Sequence, residues 1–139
     1  MYVFAYGTLT EPERASALLD DWSDAGTAEL VGLHRVEGTY PTLAPGGRVE
    51  GRLLHVFEED LDRLDAYEDV EDGLYVRVSV PLTAGHPPGP PVPATADVYV
   101  GDPERLDAPA TWPGDGTFGE RVQAYLRDHE VVLRATDAL

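Results

Sequence analysis

Two residue types are missing from the chain altogether. None of its 139 residues is cysteine or lysine, so its ten basic residues are all arginine. Without cysteine there are no disulfides, thiolate metal sites or thiol nucleophiles, and the redox compartment stays open. Without lysine there is no Schiff-base chemistry and no Walker-type phosphate loop. No apolar run approaches membrane-spanning length. Serine is sparse, at Ser16, Ser23 and Ser79, and none sits in a Gly-x-Ser-x-Gly elbow. The histidines, His34, His55, His86 and His129, are scattered without ligand spacing, so a metal centre is not expected.

Positive charge is also scarce. Twenty-six acidic residues against ten arginines give a formal net charge of −16. Such a surface repels a phosphate backbone and an anionic membrane, which argues against nucleic-acid and membrane partners. One reading of this charge is an ordinary acidic proteome. The other, which the composition favours, is a protein of a high-salt cytoplasm, where screening removes the self-repulsion. What is present is core material. Hydrophobic residues make up 42%, which at this length suits a single domain spanning residues 1–139.

The run Met1-Tyr2-Val3-Phe4-Ala5-Tyr6 lacks the flank, length and cleavage site of a signal peptide and predicts a buried first strand. Pro12 followed by Ala15, Leu18, Leu19 and Trp22 predicts a helix over Glu11–Trp22. Strands are expected at Leu30–Arg35 and Val49–Phe57, with Tyr40-Pro41 and Pro45-Gly46-Gly47 as turn chemistry between them. Glu58–Asp69 reads as a helix with three acids in its first turn. Tyr75–Leu82 alternates as a strand, with Val76, Val78 and Val80 on one face. A proline- and glycine-rich surface loop over Gly85–Pro93 leads to a strand at Ala96–Val100. The last helix is placed at about Glu120–His129, before an apolar tail of Val131, Val132 and Leu133. The order implies an α+β fold with a mostly antiparallel sheet curled around a core.

Two motifs invite misreading. Asp69-Val70-Glu71-Asp72-Gly73 fails the alternate-residue spacing of a calcium loop and reads as a solvated turn. Gly114-Asp115-Gly116-Thr117-Phe118-Gly119 is a literal Gly-x-Gly-x-x-Gly, but no strand precedes it. Thr117 and Glu120 instead form a helix capping box.

Two places carry chemistry. On a helix with Leu61 at zero, Leu64 falls at about −60° and Glu68 at about −20°. The Glu68 carboxylate therefore projects from the apolar stripe. There desolvation and the negative end of the helix dipole raise its pKa towards neutrality. The alternative is a frayed last residue whose side chain bends back to water. Asp62, Asp65 and Asp69 fall at exposed or boundary angles and need no such account. At Tyr6-Gly7-Thr8-Leu9 a strand gives way to glycine and a hydroxyl. That arrangement is either a plain turn or a set of unpaired backbone N–H groups able to hold a carboxylate or amide oxygen.

Taken together, Tyr6-Gly7-Thr8-Leu9 and Leu64-Asp65-Ala66-Tyr67-Glu68 resemble the γ-glutamylcyclotransferase-like, or AIG2-like, family. Gly38-Thr39-Tyr40-Pro41, Val49-Glu50-Gly51-Arg52-Leu53-Leu54 and Tyr75-Val76-Arg77 match in family order, from Met1 to about Val100. The resemblance implies a small β-barrel flanked by helices, with one pocket at its mouth. It implies cyclisation of a small-molecule γ-glutamyl substrate to 5-oxoproline, with release of an amine or amino acid and no cofactor. Tyr6, Gly7, Thr8 and Leu9 would bind the γ-glutamyl group, and Glu68 would be the general acid/base. Tyr40, Tyr75 and Tyr99 read as core packing or as pocket walls. Family enzymes acting on γ-glutamylamines tend to have a basic residue after the Tyr-Gly-Thr-Leu run. Thr10-Glu11-Pro12 stands there instead, leaving the leaving group open. The alternative is a non-catalytic small-ligand-binding module on the same scaffold.

Overall fold

The structure, a computed structural model, describes residues 2–7, 13, 16, 17, 19, 22–84 and 95–135. Its first strand, β1 (Tyr2–Ala5), is buried on both faces. Phe4 points into the barrel core while Val3 and Ala5 pack in a second cluster with Leu61 and Leu64. A strand covered on both sides reads as a continuous apolar run, as this one does.

Two long strands follow, β2 (Ser23–Val36) and β3 (Thr42–His55), paired antiparallel. They reach well beyond the expected Leu30–Arg35 and Val49–Phe57. Pro45-Gly46-Gly47, expected as a turn, lies inside β3, where Pro45 pairs with Leu33 across a register shift between Val31 and Leu33. Bulges let a strand absorb residues that break a regular ladder. Helix α1 (Glu58–Tyr67) begins with the three expected acids, and the Asp60 carboxylate accepts the Phe57 N–H at 3.1 Å. Next come β4 (Tyr75–Ala84), β5 (Thr95–Gly101), the short helix α2 (Pro103–Leu106) and α3 (Phe118–Asp128). Thr117 and Glu120 form the expected capping box at the start of α3.

The apolar tail is a strand, β6 (Val132–Ala135), which pairs antiparallel with β2 and parallel with β4. With it the sheet closes in the order β1-β3-β2-β6-β4-β5. Two of the neighbouring pairs, β1/β5 and β4/β6, are parallel and the rest are antiparallel. The expected mixed, mostly antiparallel barrel with a few flanking helices is the observed fold. Inside it pack Phe4, Leu30, Leu53, Val78, Val98 and Leu133. The expected helix over Glu11–Trp22 falls for the most part outside the described residues, as does the loop over Gly85–Pro93.

Gly51 permits a close approach of two strands. A Cβ built at Gly51 of β3 would stand 2.2 Å from the Ala5 carbonyl oxygen and 2.8 Å from the Phe4 ring. No side chain fits there without moving β1.

Candidate active site

At one end of the barrel, the C-terminal end of β1, the end of β5 and the start of β4 meet the last turn of α1. The β2–β3 connection completes the rim, and together they enclose a cavity of about 610 Å³ lined by Tyr6, Gly7, Tyr40, Glu68, Tyr75 and Tyr99, among others. That volume is in the range of small-molecule sites. A second concavity of about 600 Å³ lies between α2 and α3 and includes Asp102, Trp112 and Arg121. The first of these lies at the barrel's mouth, where a pocket was expected, and the second lies away from it.

The end of α1 is shaped by its backbone. Asp69 adopts a left-handed conformation with φ 55°, one that aspartate tolerates better than most residues. Its N–H donates to the Ala66 carbonyl at 3.2 Å, and the Val70 N–H donates to the Asp65 carbonyl at 2.9 Å. This pair of bonds is a Schellman closure, which ends the helix while satisfying its last carbonyls. Glu68 sits within it, half-buried, and its side chain borders the cavity. Removal from water raises its pKa from 4.5 to about 7. Among the described residues no hydrogen bond holds its carboxyl.

Tyr6, Tyr40, Tyr75 and Tyr99 line the cavity together with Glu68. Tyr6 is buried, and its hydroxyl donates to the Tyr99 carbonyl. Its own carbonyl accepts Arg35 Nη1 at 2.6 Å. Tyr6 therefore fastens the end of β1 to β5 and β2 as well as lining the cavity. Burial first, then the neighbouring Tyr75 and Glu68, hold its hydroxyl protonated well above the usual range. Tyr75 donates to the Pro41 carbonyl at 2.7 Å, and the Thr39 N–H donates to the Leu106 carbonyl at 2.7 Å. These bonds pin the connection that carries Tyr40, whose side chain stays 59% exposed at the rim.

Tyr99 donates to Asp65 Oδ1 at 2.7 Å, and Arg77 Nη1 lies 3.2 Å from Asp65 Oδ2. Arg77 and Tyr99 are a cross-strand pair of β4 and β5. Burial, followed by this hydrogen bond to Asp65, raises the Tyr99 hydroxyl's pKa.

Of the residues singled out from the sequence, Tyr6, Gly7 and Glu68 come together around the cavity, while Thr8 and Leu9 lie outside the described residues. Tyr40, Tyr75 and Tyr99 all line it, and Tyr75 and Tyr99 belong to the packed core too. Asp65, set aside as a boundary residue, is tied to two strands. Its angle of about 40° from Leu61 hinted at a position beside the stripe, but its partners are far away in sequence. Among the described residues, no cluster of three or more His, Asp or Glu side chains is placed to hold a metal ion.

The model of the family "Gamma-glutamyl cyclotransferase, AIG2-like" matches residues 3–117. AIG2-like protein C of Arabidopsis thaliana is 41% identical over an alignment of 75 residues that covers 50% of this chain and 44% of that protein. The match thus spans less than half of that relative's length. A solved structure named gamma-glutamyl cyclotransferase superposes with a TM-score of 0.60 at 16% identity, covering 91% of this chain and 98% of the other. An uncharacterised protein from Pyrococcus horikoshii does so with a TM-score of 0.57 at 17% identity, covering 93% and 99%. At such identities the superpositions speak to the fold alone. With most of its length matched by the family model, the chain belongs to the γ-glutamyl cyclotransferase, AIG2-like family.

Proposed function

We propose that the protein cyclises the γ-glutamyl group of a small γ-glutamyl amide or peptide to 5-oxoproline, with Glu68 as general acid/base. The observation that carries this reading is a carboxyl with a pKa of about 7 on the wall of a cavity of ligand size. A base poised near neutral pH exchanges protons in both directions at little cost.

In this scheme Glu68 takes one proton from the substrate's α-ammonium. The freed amine attacks the γ-carbonyl carbon and forms the ring C–N bond. As the bond to the leaving nitrogen breaks, Glu68 returns the proton to that nitrogen. The second proton shed by the ring nitrogen passes to the carboxylate and on to water or the released amine. Because both reacting groups belong to one molecule, the protein supplies chiefly orientation and a dry wall. The Tyr6-Gly7-Thr8-Leu9 segment would hold the glutamyl end through its backbone N–H groups, and the tyrosines would confine the chain that folds on itself. A γ-glutamyl dipeptide and a γ-glutamylamine both satisfy this chemistry, as does an isopeptide whose glutamyl α-amine is free.

The test is to incubate the protein in concentrated KCl with a panel of γ-glutamyl dipeptides and γ-glutamylamines and to quantify 5-oxoproline. Glu68→Gln, which fills the same space without titrating, is expected to lower kcat by about 10²–10⁴-fold. A folded wild-type protein that yields no 5-oxoproline across the panel points instead to a ligand-binding module.

A further inference from the structure

Glu68 lies at the end of a helix whose seating rests largely on Leu61 and Leu64, both buried against the barrel. Apolar packing of this kind resists separation but is not directional, so it leaves rotation and sliding of the helix poorly fixed. The carboxyl of Glu68 has no hydrogen bond of its own among the described residues. The backbone beneath it therefore has a part in setting its place in the cavity.

Several backbone bonds shape that turn of α1, among them Glu68 N–H to the Leu64 carbonyl and Asp69 N–H to the Ala66 carbonyl, and one of its residues, Asp65, also ties it to the barrel. The Asp65 carbonyl accepts the Val70 N–H at 2.9 Å, closing the turn around Glu68. The Asp65 carboxylate, on the same residue, reaches the barrel twice, taking the Tyr99 hydroxyl at 2.7 Å and facing Arg77 Nη1 at 3.2 Å. Two strands thus present a neutral and a charged donor to one carboxylate. Bonds to an ionised acceptor are stronger than neutral ones and are directional, so they fix what apolar packing leaves free. The cavity wall is linked in as well, because the Tyr99 carbonyl accepts the hydroxyl of Tyr6.

We propose that Asp65 is a positioning residue, which by joining Tyr99 and Arg77 to the last turn of α1 sets where the Glu68 carboxyl stands in the cavity. This rests on the reading of Glu68 as the acid/base, but its geometric content can be tested apart from turnover.

The variants are Tyr99→Phe, which keeps the ring in the wall and changes no charge at neutral pH, and Asp65→Asn, which keeps one acceptor for Tyr99 and loses the ion pair. Two readouts are taken: 5-oxoproline kinetics, and the titration midpoint of Glu68 followed by NMR of carboxyl-labelled glutamate. With the tie broken, the helix end is expected to loosen and Glu68 to meet more water. In Tyr99→Phe, kcat then falls about 10-fold or more with KM within about twofold, and the midpoint drops towards the ordinary carboxylate range. Asp65→Asn, retaining half of the contact, is expected to lose less than Asp65→Ala. An unchanged kcat and midpoint in folded Tyr99→Phe overturns the proposal. So does a rise in KM alone, which would make Tyr99 a substrate-contacting wall. If the wild type makes no 5-oxoproline, the cyclisation reading falls and the midpoint alone decides the positioning role. If Asp65→Asn does not fold, Tyr99→Phe decides.

Discussion

The Glu68 carboxyl that suits a proton shuttle also weakens the fold. With its pKa raised from 4.5 to about 7 by burial, the folded protein keeps a proton there that the unfolded chain has already released. Between those two values the folded state binds more protons, so stability falls as the pH rises through the window and levels off above it. The loss is on the order of 2 kcal/mol, less than the full shift would give because the group still meets water. Glu68→Gln removes the titration. Its unfolding free energy in denaturant is expected to exceed the wild type's by roughly that amount at pH 8 and to match it near pH 4. A wild-type profile flat from pH 4.5 to 7 would count against a desolvated carboxyl. This residue was legible in the sequence because one helical turn of angles suffices to place it. Asp65 was not, because its meaning depends on Tyr99 and Arg77, both on strands elsewhere in the chain.

At the scale of elements, Gly51 sets how closely β1 and β3 can lie. The contacts awaiting a Cβ there are a backbone carbonyl and a packed aromatic ring, neither of which can yield cheaply. Gly51→Ala is expected to lose about 3 kcal/mol or more in a chemical-denaturation measurement, at the severe end for a point substitution. Because β1 leads directly into Tyr6 and Gly7, any 5-oxoproline activity should fall with it. Strands β1 to β5 were readable from short apolar or alternating runs, but the lengths of β2 and β3 were not. Pro45, Gly46 and Gly47 read as punctuation, yet bulged pairing carries β3 straight through them. Val131, Val132 and Leu133 read as a tail because three apolar residues show too little periodicity to declare a strand. Only the open space between β2 and β4 gives Val132–Ala135 that role.

Over the whole molecule, the net charge of −16 sets a self-repulsion that no single contact relieves. Ion pairs such as Arg35–Glu37 and Arg105–Asp72 lie at the surface and are worth little each. Raising KCl from dilute buffer to the molar range shortens the screening length from more than about 10 Å to about 3 Å. The melting temperature followed by circular dichroism is expected to climb by several degrees over that range. A flat response would favour the ordinary acidic proteome over the high-salt cytoplasm. The family motifs in order made the barrel legible as a whole. The closure itself was not visible, since it joins strands that are distant in sequence.

The place of β6 in the barrel also sets a timetable for biosynthesis. The strand that fills the space between β2 and β4 is, among the described residues, the last strand in chain order. A ribosome translating this message therefore releases β1 to β5 before the piece that unites them has left the exit tunnel. During that interval β2 and β4 offer bare edges to any other nascent chain, a hazard that chaperones exist to contain. The cavity borrows its strand walls from β1, β4 and β5, all released earlier, while the barrel that frames them closes only with β6. A polypeptide cut short before residue 132 would carry every residue named at the site on a barrel left open between β2 and β4.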